Sequence, residues 1–145
     1  MILPDVNLLV YAFNRSAPLH KKAASWWEDQ INGGQAIGVP WPVFAAFVRL
    51  MTGRLILEDP YTPREVFEIA AEWWARPNVR LLEPTAETYR RFRALMEAYE
   101  LSGSATSDAL IASFALEHRA RLATNDTDFL RFRELRVVNP LQEGS

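Results

Sequence analysis

The chain has 145 residues, 49% of them hydrophobic and 23% charged, a length and composition that fit one globular domain with a real core and leave little room for a second. Cysteine is absent, which removes disulfides, thiolate nucleophiles and most structural zinc sites, so any metal must be held by oxygen. The formal net charge of −2 excludes capture of nucleic acid by a globally basic surface.

No run approaches the roughly 18 apolar residues of a membrane span, and the start lacks the basic region and long apolar core of a signal peptide. The expectation is a soluble, cytoplasmic protein without membrane attachment. Of the 16 basic residues, 14 are arginine and only Lys21 and Lys22 are lysine. That bias suits phosphate or carboxylate recognition, and arginine-rich coding explains it equally well. Residues 1–141 read as a single domain and 142–145 as a frayed tail, with no internal repeat or low-complexity tract.

In chain order, Ile2 to Pro4 reads as a short strand, and from Asp5 a helical segment begins in which Leu8, Leu9, Ala12 and Phe13 recur near helical spacing. Pro18 to Asn32 is an amphipathic helix ended by Gly33-Gly34. Ala36 to Val39 is a strand, and Trp41 to Thr52 a helix stopped by Gly53. Thr62-Pro63-Arg64-Glu65 is a capping-box start for a helix running to about Ala75. Val79 to Leu82 is a strand, and Ala86 to about Tyr99 a helix broken by Ser102-Gly103-Ser104. Asp108 to Glu117 is a helix, Arg121 to Thr124 a strand, Asp126 to Arg131 a short helix, and Leu135 to Val138 a last strand. Five short strands alternating with helices predict a three-layer α/β/α sandwich around a mainly parallel five-stranded sheet.

Asp5 is the anomaly in this pattern, because a carboxylate between two apolar pieces is penalised by burial unless something compensates it. In open α/β sheets the ligand crevice lies beyond the carboxyl ends of the strands. Asp5 ends the first strand, Asp126 closely follows the fourth, and Asp108 lies in a first helical turn just before it, so the three are expected to share one crevice. A divalent cation resolves their repulsion. Mg²⁺ and Mn²⁺ favour such oxygen ligands, lower the pKa of bound water and stabilise charge on a phosphoryl oxygen, as phosphodiester hydrolysis requires. Each carboxylate also has a purely structural reading, since aspartates cap helices and favour their N-termini. Asp128 reads as a helix-start residue or as support behind the ligands.

The segments Leu3 to Phe13 (LPDVNLLVYAF), Asp108 to His118 (DALIASFALEH) and Ala123 to Phe129 (ATNDTDF) together resemble the PIN domain, and more narrowly the VapC toxins of bacterial toxin–antitoxin pairs. The resemblance spans essentially the whole chain, including Trp41 to Thr52 and Val138 to Leu141. It implies a Mg²⁺- or Mn²⁺-dependent endoribonuclease that cuts RNA, is neutralised by a cognate VapB-type antitoxin, and forms a homodimer. Carried over by position, Asp5, Asp108 and Asp126 match acidic metal-binding and catalytic positions, and Asn7 and Thr124 match polar positions lining the pocket. The family's second acidic position falls on Ala46, which has no carboxylate. That departure keeps open a weakened RNA- or protein-binding module, and leaves Glu58 or Asp59, in the following loop, as candidates to approach from there.

Arg131-Phe132-Arg133 follows the Asp126 segment and is placed to contact RNA phosphate, as is Arg49, one helical turn after Ala46. Arg90-Arg91-Phe92-Arg93 reads as a solvated helix face. In Trp26-Trp27 and Trp73-Trp74 one ring is expected in the core and its neighbour turned elsewhere, where it can line a partner groove. The absence of Gly-x-Ser-x-Gly and of a P-loop argues against a hydrolytic triad or a phosphate cradle. A haloacid-dehalogenase-like phosphatase wants a second aspartate two residues after the first, where Asn7 stands.

Overall fold

The computed structural model describes residues 1–142; most of the expected frayed tail, 143–145, lies outside them. Five strands, β1 (Ile2–Pro4), β2 (Ile37–Pro40), β3 (Val79–Leu82), β4 (Arg121–Ala123) and β5 (Arg136–Val138), form one sheet in the order β3-β2-β1-β4-β5. Every pairing is parallel. Parallel strands need crossover connections; the one from β4 to β5 runs through the short segment Thr127–Arg131, and the others are supplied by six helices: α1 (Val6–Phe13), α2 (His20–Ile31), α3 (Trp41–Thr52), α4 (Pro63–Trp74), α5 (Ala86–Ala98) and α6 (Ala105–Glu117).

Right-handed crossovers leading from β1 out to β3 put α1 to α4 on one face, and the return from β3 to β4 puts α5 and α6 on the other. This is the expected three-layer sandwich. Both faces are covered, so β1 and β2 are buried at every residue. That explains why they read as unbroken apolar runs instead of alternating ones. On the face of α1 to α4, Trp73 packs against Trp27 with ring centroids 5.2 Å apart and against Phe47 at 5.1 Å. Trp27 and Trp73 are the buried members of their pairs and Trp26 and Trp74 are partly buried, as adjacent helical positions require.

The capping box at α4 forms as read: the Thr62 hydroxyl accepts from Glu65 N–H at 3.2 Å, and the Glu65 carboxylate accepts from Thr62 N–H at 2.9 Å. Several bounds shift by one or two residues, and two elements differ in kind or by more. α6 begins at Ala105, three residues before the expected start, because Gly103, at φ 60°, already turns the chain and the small residues Ala105 to Ser107 continue into helix. The segment after Asp126 is a 3₁₀ turn over Thr127–Arg131, as expected of a single short turn. The arginines of α5 pair along their own helix, Arg90 and Arg91 with Glu87 and Arg93 with Glu97, as a solvated face does. No described helix is long and apolar enough to cross a membrane.

Candidate active site

The strand order reverses direction between β1 and β4, and this is where the chain opens a cleft of about 340 Å³ beyond the strand ends. Asp5, Asn7, Ala46, Arg49, Asp108 and Asp126 all line it. Register explains the meeting of distant residues: Pro4 pairs with Ala123, so the residue after each strand emerges at the same level.

Asp5 forms the floor and is only 6% exposed. Its Oδ1 accepts from Val6 N–H at 2.8 Å, capping α1, and its Oδ2 accepts from the Thr124 hydroxyl at 2.7 Å. The same hydroxyl oxygen accepts from Asp126 N–H at 3.0 Å, and Asp126 Oδ1 accepts from Asp128 N–H at 2.9 Å. A chain of hydrogen bonds therefore joins the ends of β1 and β4. Asp5 and Asp126 cap helical segments and face the cleft at once, so their structural and functional readings coexist. A carboxylate has about four lone-pair directions, and two bonds leave Asp5 free to accept more.

Burial raises the pKa of Asp5 above the ordinary carboxylate value; the two hydrogen bonds pull it down, and the charges of Asp126 and Asp108 push it further up. Asp108, in the first turn of α6 and without a capping bond, is raised by burial and by Asp126, lowered by Arg131 and raised by Asp128. Ligand oxygens of Asp108, Asp126 and Asp128 lie within 4.8 Å of one another. Asp128, though exposed, is thus within reach of a shared ion with Asp108 and Asp126, and Asp5 lies outside that group of three.

A profile of the PIN domain matches residues 2–135. The chain belongs to the PIN-domain family. Similar proteins include ribonuclease VapC33 of Mycobacterium tuberculosis, 34% identical over 143 residues that span 99% of this chain and 100% of the relative. Ribonuclease VapC43 of the same species is 32% identical over 141 residues, 97% of this chain and 96% of its own. In fold, the chain resembles the crystal structure of VapBC2 from Rickettsia felis bound to a DNA fragment from their promoter, with TM-score 0.68, 22% identity, and coverage of 96% of this chain and 98% of that one.

Against the PIN-domain expectation, the structure gathers Asp5, Asp108, Asp126, Asn7 and Arg49 at one cleft and puts Thr124 directly behind Asp5. Ala46 contributes only a methyl group to the wall. Glu58 and Asp59 do not replace the missing acid; they line a separate cleft with Phe13 to Ser16, because Tyr61 ties their loop to the end of α1 by donating to the Phe13 carbonyl at 2.7 Å. Arg131 turns toward the carboxylates, its guanidinium 3.7 Å from Asp108 and 3.9 Å from Asp128. Arg133 is exposed and lies outside the cleft lining. Sequence reasoning missed Ser107, a cleft-lining residue whose signal was its place immediately before Asp108 in the first turn of α6.

The donor set fits a small hard cation. All charged donors are carboxylates, no histidine lines the cleft, and among the described residues the buried Asn7 Oδ1 has no hydrogen-bond partner. Oxygen donors of this kind suit a hard divalent cation.

Proposed function

We propose that the chain is a metal-dependent endoribonuclease toxin of the VapC type, hydrolysing RNA phosphodiester bonds and neutralised by a VapB-type antitoxin. The observation that carries this reading is the convergence of Asp5, Asp108 and Asp126 at one cleft, from three segments far apart in the chain, in a chain similar along its length to relatives named ribonuclease VapC.

Asp5, Asp108 and Asp126 would hold a Mg²⁺ or Mn²⁺ ion, with Asp128 adjoining. Such an ion, when bound, supplies a water of lowered pKa and charge stabilisation at a phosphoryl oxygen. The chain's own contribution is orientation: Thr124 and the Val6 N–H hold one oxygen of Asp5 each, so the carboxylate does not rotate. Arg49, on the rim, offers a positive charge to the RNA backbone. The apolar side chains of Val43, Leu110 and Ile111 in the same wall lower the local dielectric and strengthen every charge contact there. Trp41 and Phe67, exposed and in contact with the buried Phe44, support an antitoxin or dimer contact on α3 and α4. Action in the cytoplasm as a homodimer accords with this reading.

The methyl of Ala46 favours one alternative, a PIN-like module that binds RNA or protein with weakened chemistry. A single substitution separates the two. In Asp5→Asn, RNA cleavage by the purified protein should fall by at least about a hundredfold, since losing even a group that supports a metal ligand costs about 10–100-fold, and growth arrest on expression should be relieved. A folded Asp5→Asn protein that cuts RNA as the parent does would sink the enzymatic reading, and a parent that cuts none would leave the binding module.

A further inference from the structure

Arg131 enters the carboxylate group in an unusual way. Its Nε donates to the Asp128 backbone carbonyl at 2.9 Å, a bond made within its own 3₁₀ turn and independent of any carboxylate. The guanidinium lies over the neighbouring Phe132, 5.7 Å from the ring centroid, and Phe132 is itself fully buried. Backbone and core thus hold the charge in place. From that anchor the Nη2 group faces Asp108 at 3.7 Å and Asp128 at 3.9 Å, beyond good hydrogen-bond length, so the attraction is Coulombic. Asp126 belongs to the same carboxylate group as these two. The Arg131 side chain is 33% exposed, which screens the pairing without abolishing it.

We propose that Arg131 is a tethered counter-cation that shares Asp108 and Asp128 with the divalent ion and sets how tightly the protein takes that ion. This rests on the metal-dependent reading above. Without the ion, the guanidinium offsets repulsion among the three aspartates. With the ion, the same charge remains close, because a main-chain carbonyl holds it, and it weakens binding. Arg131 is therefore a positioning residue for the metal site, and phosphate contact falls to Arg49 at the cleft wall.

The test is calorimetric titration of the whole protein with Mn²⁺, comparing the parent with Arg131→Met, which keeps an unbranched apolar stem over Phe132, and Arg131→Lys, which keeps the charge. Arg131→Met should bind Mn²⁺ about five- to tenfold more tightly, the order of effect of one unit charge held beside the ion's ligands in a largely aqueous setting. The difference should shrink as salt is raised, and Arg131→Lys should stay near the parent. In EDTA, Arg131→Met should melt below the parent, and saturating Mn²⁺ should raise its melting temperature by more than it raises the parent's. Equal or weaker Mn²⁺ binding by a folded Arg131→Met protein overturns the proposal while leaving the ribonuclease reading intact. Failure of the parent to bind Mn²⁺ overturns the metal reading, and this proposal with it.

Discussion

At the scale of single residues, Asp5 is costly by itself and stabilised by its two hydrogen bonds, yet burial and the neighbouring aspartates leave its pKa raised. A carboxyl group whose folded pKa exceeds its unfolded value binds protons more tightly when folded. Its contribution to stability is fully present below the ordinary value of about 3.8 and is lost as pH rises through the folded value. Asp108 acts in the same direction. In EDTA the melting temperature should therefore rise as pH is lowered from neutrality toward the ordinary carboxylate range, until wider acid denaturation intervenes. Asp5→Asn should flatten that rise and raise the melting temperature at neutral pH. Mn²⁺ affinity should move the opposite way, falling over the same window as protons compete for the ligands. An EDTA profile with no rise, or one unchanged by Asp5→Asn, would contradict the account of a buried, repelled carboxylate. The sequence marked Asp5 as anomalous because apolar residues flank it, but its partner Thr124 lies 119 positions away and becomes visible only through strand pairing.

At the scale of elements, most starts and stops were legible because local chemistry sets them. The capping box at Thr62 and the length of α3 are examples. The end of α6 was not marked by a glycine. Arg119 there adopts φ 52°, the left-handed conformation that usually calls for glycine, and the Ala120 N–H donates back to the Ala115 carbonyl at 2.8 Å, as in a Schellman ending. Arg136, from β5, donates to the Arg119 carbonyl at 2.6 Å, so a tertiary contact helps to hold the strained residue. Arg119→Gly should stabilise the protein by about 1 kcal/mol, by relieving the Cβ clash of the left-handed region. A urea melt would register this as a higher midpoint with unchanged slope; a lower midpoint would mean that the arginine side chain contributes more than its backbone costs.

At the scale of the whole molecule, the cleft exists because two groups of helices clamp one parallel sheet and hold its switch point open. Phe47 lies at the centre of one group, fully buried and in ring contact with both Phe13 of α1 and Trp73 of α4. Phe47→Ala should cost about 3–5 kcal/mol, a large share of the about 5–15 kcal/mol by which such domains are stable, and chemical denaturation is the measurement. A loss below about 1 kcal/mol would show that the aromatic cluster is not what joins these helices. The sequence by itself determined the alternation of strands and helices, the parallel sheet, the three-layer class and the candidate acids Asp5, Asp108 and Asp126, because apolar periodicity, caps and the motifs that carry the family likeness are local and one-dimensional. Only the tertiary structure decided that Glu58 and Asp59 face a different cleft, that Asp128 joins the carboxylate group, and that Arg131 turns back onto it. Those outcomes depend on strand register and on one side-chain bond from Tyr61, which fix directions in space that residue spacing along the chain does not encode. Asp5, just after the opening strand, is legible as a charge out of place, and the hydroxyl of Thr124 helps to hold it there.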